Sequence, residues 1–371
     1  MTPRRLQQGV FVARLRPARR IGGRRLRLHT IQIKPHAAQH AQTVRAHATQ
    51  RIDQHLTDIM MAQDFHDLTL AYFRKAAEQN VIYVEPFFDP QAHTERGVEF
   101  DTVVKGINRA LKEGEKKFGI SSKLIMSFLR HLPEKSDQSA SERKFKDAFE
   151  TLDEAREWIE AGMIHGIGLD SSENPFPPSD FKRVFAEAKN RHVQLMLMAH
   201  AGEEGPAEYV RQALDVLKVD RIDHGNHVLD DELLTARVKE AGIGLTVCPL
   251  SNIRLRHPMK FKKDGTADDA SRMENLNQHT LRTMMNEGLK VSINSDDPAY
   301  FGGYMNENYL AIAEALNLTR DEVVQLARNA IETCFLAPEE KQQQFSQLAL
   351  YVREHTIVSV AGPQKPSAMA I

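Results

Sequence analysis

Three stretches of this 371-residue chain end an apolar run on groups that can hold a metal or move a proton. They are Met196-Leu-Met-Ala-His200-Ala-Gly-Glu203, Arg221-Ile-Asp-His224-Gly225 and Val291-Ser-Ile-Asn-Ser-Asp296-Asp297-Pro298. A His that closes a strand before Gly exposes its imidazole at the strand tip, and a Glu three residues on can reach the same space. Adjacent carboxylates such as Asp296 and Asp297 repel, so holding both ionised calls for a cation or a proton. Taken singly, each stretch also reads as an ordinary polar loop, and Asp-Pro is a common turn start. Their order and shared strand-end position point instead to one site. His and Asp can hold a metal that lowers the pKa of water, while a neighbouring Glu and His shuttle protons. The chemistry this set can do is metal-assisted hydrolysis. His227 competes with His224, but it lies past the Gly and is expected to point away.

These groups need strands to carry them. From about residue 60 the chain alternates short apolar runs with helical patterns. The runs cover 81–87, 123–130, 164–170, 194–200, 221–224, 244–249 and 290–294. Being apolar throughout, they read as strands buried on both faces of a parallel sheet. Helices are expected at about 64–80, 101–118, 138–162, 179–191, 205–217, 230–242, 277–288, 305–316, 319–334 and 338–353. The expected fold is a (β/α)8 TIM-type barrel, whose active site lies at the C-terminal strand ends. Seven strands leave one to find, and it should be the first, within residues 1–59. The candidate there, 24–34, alternates Leu with Arg and suits a half-exposed strand rather than a barrel interior.

The net charge of −1 conceals an imbalance: residues 1–59 carry twelve Lys or Arg against two Asp, so the remainder is strongly acidic. An acidic body is a poor nucleic-acid binder, and no apolar run reaches the roughly 18 residues of a membrane span. Two cysteines without metal or redox spacing, and no signal-peptide pattern, favour the cytoplasm. Met196 and Met198 read as core, and His165 and His192 as structural.

At the three stretches, with Cys248-Pro-Leu-Ser-Asn252, the chain resembles the adenosine/adenine deaminase family of zinc-dependent hydrolases over about residues 60 to 335. Val84-Glu-Pro-Phe-Phe-Asp-Pro90, His93-Thr94, Gly168-Leu-Asp-Ser-Ser-Glu173 and Asp297-Pro-Ala-Tyr-Phe-Gly-Gly-Tyr304 resemble its bacterial, adenine-specific branch. The resemblance implies a barrel with one zinc ion and deamination of adenine to hypoxanthine and ammonia, a purine-salvage step. It implies His200 and Asp296 as zinc ligands and Glu203 as proton donor to ring N1. It further implies His224 as the group that orients and deprotonates water, and Asp297 as a partner of the purine. The implied partner is a small purine base, with no nucleic acid and no membrane, and a homo-oligomer is compatible with the sequence. Cys248 is expected to pack, Ser251 and Asn252 to order a loop, and Asp170, Ser171 and Ser172 to shape the purine pocket.

One element of the family pattern does not occur. The first strand of the family carries His-x-His, both zinc ligands, and this chain has no His-x-His. His29, His36, His40, His47 and His55 have the wrong spacing. Residues 1–59 contain no Glu and no Ser. That composition favours a segment translated in another reading frame, with family-like sequence resuming near Met61; the competing explanation is a divergent arm on a barrel that has lost catalysis. The expected organisation is an atypical segment at 1–59, the barrel at 60–354 and a tail at 355–371. Adenosine or an N6-substituted adenine is the alternative substrate, and an inert barrel that binds purine or a protein partner is the non-enzymatic alternative.

Overall fold

The structure, a computed structural model, describes residues 8–13, 60–137, 146–262 and 265–355. The apolar runs form strands β2 (Val81–Phe88), β4 (Ile125–Leu129), β5 (Gly166–Asp170), β6 (Met196–Ala201), β7 (Arg221–His224), β8 (Gly244–Val247) and β9 (Lys290–Ile293), all parallel and hydrogen-bonded in that order. A two-residue strand, β3 (Ser121–Ser122), pairs with β2 off this path. With the helices that connect them, the strands build a (β/α)8 TIM-type fold. The β8 run ends at Val247, two residues before its expected end. Pro249 has no N–H for a ladder and instead opens a helix at its first position.

The first strand departs from the expected pattern. The place beside β2 is taken by β1 (Gln8–Ala13), which runs antiparallel to β2, with Phe11 opposite Val84. Its Cα trace also comes within 8 Å of β9. An antiparallel segment points its C-terminal end away from the barrel mouth, so it cannot place ligands there as a parallel first strand would. The expected candidate at 24–34, the five N-terminal histidines and most of the tail lie outside the described residues.

Around the sheet run α1 (Ala62–Glu78), α2 (Phe100–Phe118), α3 (Ala148–Glu160), α4 (Lys182–Arg191), α5 (Ala207–Gln212), α6 (Glu232–Ala241), α7 (Pro249–Leu255), α8 (Leu281–Asn286), α9 (Met305–Leu316), α10 (Arg320–Thr333) and α11 (Pro338–Glu354). Local signals set their ends. Gly119 caps α2 in the left-handed conformation, and Thr319 and Glu322 form a reciprocal capping box on α10. α3 begins at Ala148, where Asp147 accepts from the Glu150 N–H as its cap; residues 138–145 of the expected helix lie outside the described residues. Gly106 lets α2 lie against α1: a Cβ there would sit 2.4 Å from the Ala62 carbonyl oxygen.

Inside the sheet, Arg221 on β7 is buried and paired with Glu85 on β2 and with Asp223, whose Oδ1 lies 3.2 Å from the guanidinium. The Tyr83 hydroxyl and the Phe335 N–H also donate to Glu85, at 2.7 and 2.6 Å. This strut ties β2 to β7 and to the segment after α10.

His93 is buried against Phe65, and its Nδ1 accepts from Arg96 at 2.8 Å. Burial, then the Arg96 charge, holds its pKa down to about 3. The unfolded chain binds a proton here below about 6.5 and the folded chain does not, so the stabilisation is full above that pH and lost as pH falls towards 3. His93 should therefore contribute a slope of up to about 1.4 kcal/mol per pH unit below pH 6.5. Urea unfolding at pH 7 and pH 5 should show a smaller acid loss in His93→Gln than in the wild type; equal losses would refute the assignment.

Candidate active site

The site gathers at the C-terminal ends of β5 to β9. His200 lies one residue before the end of β6, opposite Asp223 in the ladder, and Ala201 lies opposite His224. The His200 and His224 rings are 4.8 Å apart between centroids. His224 and Asp296 both have positive φ, 67° and 54°. Neither is Gly, and the left-handed conformation costs such residues roughly 1–3 kcal/mol. At the ends of β7 and β9 that strain turns the chain sharply and keeps both side chains within the site.

Asp170, at the end of β5, sets its Oδ1 2.6 Å from His200 Nδ1. A carboxylate this close to Nδ1 holds the ring by its charge, outside hydrogen-bond geometry, and leaves Nε2 for another partner. Asp170, expected to shape the purine pocket, lies beside His200. Burial opposes a charge on His200, but the Asp170, Asp223 and Glu203 carboxylates outweigh it and raise the imidazole pKa well above its ordinary value. The same field that stabilises a proton there stabilises a metal cation.

His224, Cys248 and Asp296 place donor atoms within 4.8 Å of one another, all buried. Among the described residues, His224 Nδ1 and one Asp296 oxygen have no hydrogen-bond partner. Buried polar atoms left so are costly unless a ligand or ion engages them, and His with carboxylate suits zinc. The donors present therefore fit a metal ion. His200 adjoins this group through His224 but is not one of the three. Burial, then the Asp296 charge, keeps the Cys248 thiol pKa well above its ordinary value, and its Sγ donates to the Thr246 carbonyl at 3.4 Å. That behaviour is a packed thiol's.

Glu203 is held from two sides. Glu173, fully buried, accepts from the backbone N–H groups of Gly202, Glu203 and Gly205 at 3.0, 2.9 and 2.9 Å, which pins the loop after β6. The Glu203 Oε1 lies 3.5 Å from His224 Nδ1 and 3.2 Å from His257 Nε2. Burial is the main cause that pushes Glu203 up to about 7, against the lowering effect of His224. Near neutrality this carboxyl can therefore give or take a proton. Burial lowers His224 to about 4 and keeps it neutral. Asp297, nearly buried, stands beside Asp296 at the start of the short helix Pro298–Phe301.

His227 turns away: Nδ1 engages Asp230 and Nε2 the Pro258 carbonyl, both at 2.8 Å. His165 Nδ1 accepts from the Leu124 N–H at 3.2 Å, a structural role. Reasoning from the residues alone missed Glu173 and His257 beside the site. Glu173 lies within a string noted for its resemblance. His257 lies in an irregular loop and has no periodicity to mark it.

A family model described as adenosine deaminase matches residues 37–351. An adenine deaminase of Sphingopyxis alaskensis is 50% identical over 289 residues, 78% of this chain and 76% of its own length. One from Caulobacter vibrioides (strain NA1000 / CB15N) is 47% identical over 292 residues, 79% and 76% of the two chains. The crystal structure of adenine deaminase from Arthrobacter aurescens is similar in fold, with a TM-score of 0.68 and 40% identity, covering 80% of this chain and 81% of that one. An amidohydrolase from Burkholderia ambifaria, solved with bound Zn, gives a TM-score of 0.66 at 27% identity, covering 80% and 75%.

Proposed function

This chain belongs to the adenosine deaminase family, and we propose that it hydrolyses adenine to hypoxanthine and ammonia. The observation that carries the reading is the position of Glu203, a largely enclosed acid with its side chain 12% exposed, within 3.5 Å of His224 in a site that also holds His200 and Asp296. The choice of adenine is supported by relatives near 50% identity that bear that activity in their names.

In this reading His200, oriented by Asp170, and Asp296 hold a zinc ion, with His224 beside them. Zinc supplies the Lewis acidity that makes water nucleophilic near pH 7. Glu203 gives its proton to purine N1, which makes C6 electrophilic. His224 takes a proton from the attacking water, whose oxygen bonds to C6. The C6–amino bond then breaks, the nitrogen leaves as ammonia once it has gained that proton, and the C6 hydroxyl returns its own proton to Glu203 as it becomes the carbonyl of hypoxanthine. Asp297 engages the purine near N7 and sets its orientation. Residues 60–354 form the catalytic barrel, residues 1–59 are an atypical Arg-rich segment preceding it, and the enzyme works on a free base in the cytoplasm.

One observation favours a second reading, an inert barrel that binds purine or a protein: the chain contains no His-x-His. The purified chain separates the two. The enzyme reading expects loss of adenine absorbance, stoichiometric ammonia and about one zinc per chain, with adenosine and N6-methyladenine turned over more slowly. No turnover together with no bound zinc would favour the inert barrel. Sequencing the DNA of the 5′ end addresses the segment itself: another frame encoding His-x-His on an apolar run would support a frame shift before codon 60.

A further inference from the structure

The segment from His200 to Glu203 leaves the sheet with backbone groups facing two sides, and buried groups of this kind need partners. On the β7 side the backbone supplies them: the Gly225 and His227 N–H groups donate to the Ala201 and Gly202 carbonyls at 3.1 and 3.0 Å. On the β5 side the ladder has already ended, since it pairs Gly166 with Met196 and Ile167 with Leu197. Two buried side chains take its place. Arg130, the residue after β4, donates from Nη1 to the His200 carbonyl at 2.8 Å and from Nε to the Phe176 carbonyl at 2.7 Å. Glu173, in the loop after β5, accepts from the Gly202 and Gly205 N–H groups on Oε2 and from the Glu203 N–H on Oε1. Burial opposes the Arg130 charge, and Glu173 is first among the charges that favour it. The loop is shaped to admit the carboxylate, because a Cβ on Gly205 would sit 2.4 Å from Glu173 Oε2.

We propose that Arg130 and Glu173 are paired positioning residues for Glu203: they stand in for the missing β5 ladder and clamp the backbone at both ends of the His200–Glu203 segment. The inference rests on the reading of Glu203 as the acid and deepens it. Arg130 holds the end that bears His200, and Glu173 the end that bears the acid, so the clamp sets the distance between the two. Motion is then left to the Glu203 side chain, which must reach the substrate, and not to the loop that carries it. The division of bonds over the Glu173 carboxylate makes one of them separable. In Glu173→Gln an amide oxygen at the Oε2 position still accepts from Gly202 and Gly205, but the amide nitrogen meets the Glu203 N–H, donor against donor.

The test combines amide exchange with kinetics. Hydrogen exchange followed by NMR should quicken at the Glu203 amide in Glu173→Gln, while the Gly202 and Gly205 amides stay protected. The same variant should lower kcat for adenine by about tenfold to a hundredfold with KM nearly unchanged, the cost of a misplaced group, and keep its zinc. Because Glu173→Gln also strips Arg130 of a counter-charge, Gly205→Ala serves as a second variant: it keeps every charge, displaces the carboxylate and should lower kcat to a similar degree. Arg130→Lys keeps the charge but offers one nitrogen for two carbonyls, and should lose about as much. Wild-type kcat in Glu173→Gln or Arg130→Lys, or unchanged exchange at Glu203, would overturn the proposal. Loss of zinc together with kcat in these variants would also overturn it, by showing a general collapse of the site. Should the wild-type chain fail to turn over adenine, the proposed function fails, while exchange in Glu173→Gln still decides whether Glu173 holds the Glu203 backbone.

Discussion

Glu203→Gln is expected to lower turnover of adenine by about three orders of magnitude, within the range for loss of a positioned general acid. Gln keeps the shape and the backbone contacts of the loop that Glu173 pins, but it has no proton to give to N1. Zinc content should be unchanged, because Glu203 is placed as an acid and not as a ligand. The substitution also removes one of the carboxylates that raise the His200 pKa; Asp170, at 2.6 Å, keeps that imidazole oriented. Turnover at near-normal rates, with metal retained, would end the assignment of Glu203 as donor. Loss of both turnover and metal would instead place it among the ligands.

The largest effect on stability is expected at Arg221. In Arg221→Leu, Glu85 and Asp223 are left as two buried carboxylates without their cation. Tyr83 and the Phe335 N–H still donate to Glu85, and Thr246 to Asp223 at 3.0 Å, but these bonds do not cancel charge. Removing one partner of a buried ion pair costs about 3–5 kcal/mol. The guanidinium also covers the Phe335 ring at 4.6 Å, so its loss loosens the segment after α10 as well. Denaturant unfolding should show a lower midpoint with an unchanged slope. A triple variant with Arg221→Met, Glu85→Gln and Asp223→Asn should be much closer to wild type, since it leaves no buried charge unpaired. A loss below about 1 kcal/mol in Arg221→Leu would show that water or proton uptake relieves the pair.

Both expectations rest on contacts between residues far apart in the chain, and this marks how much was legible beforehand. The strands read well because each is a short apolar run buried on both faces; observed strand ends differ from expected ones by a few residues, as where Pro249 intervenes. The resemblance over residues 60 to 335 was legible from strings such as Ser295-Asp-Asp-Pro298, and the family match covers them. His200, Glu203, His224 and Asp296 were legible as residue types at strand ends, since a parallel barrel presents that end to one mouth. The first strand was legible only as a gap: the candidate there, 24–34, alternates Leu with Arg, and the strand that pairs with β2, Gln8–Ala13, went unread and runs the opposite way.

The chain's own order therefore determined the alternation of elements, the face at which the polar groups emerge and the class of chemistry they can perform. Local pattern suffices for these, because strand burial and strand-end position are properties of short windows. Tertiary structure alone decided that Asp170 meets His200, that Glu173 pins the loop bearing Glu203, and that Glu85 meets Arg221. Each of these pairs joins separate strands or loops, and a buried polar group takes whichever partner the fold brings within reach, because leaving it without one costs more than any local preference supplies.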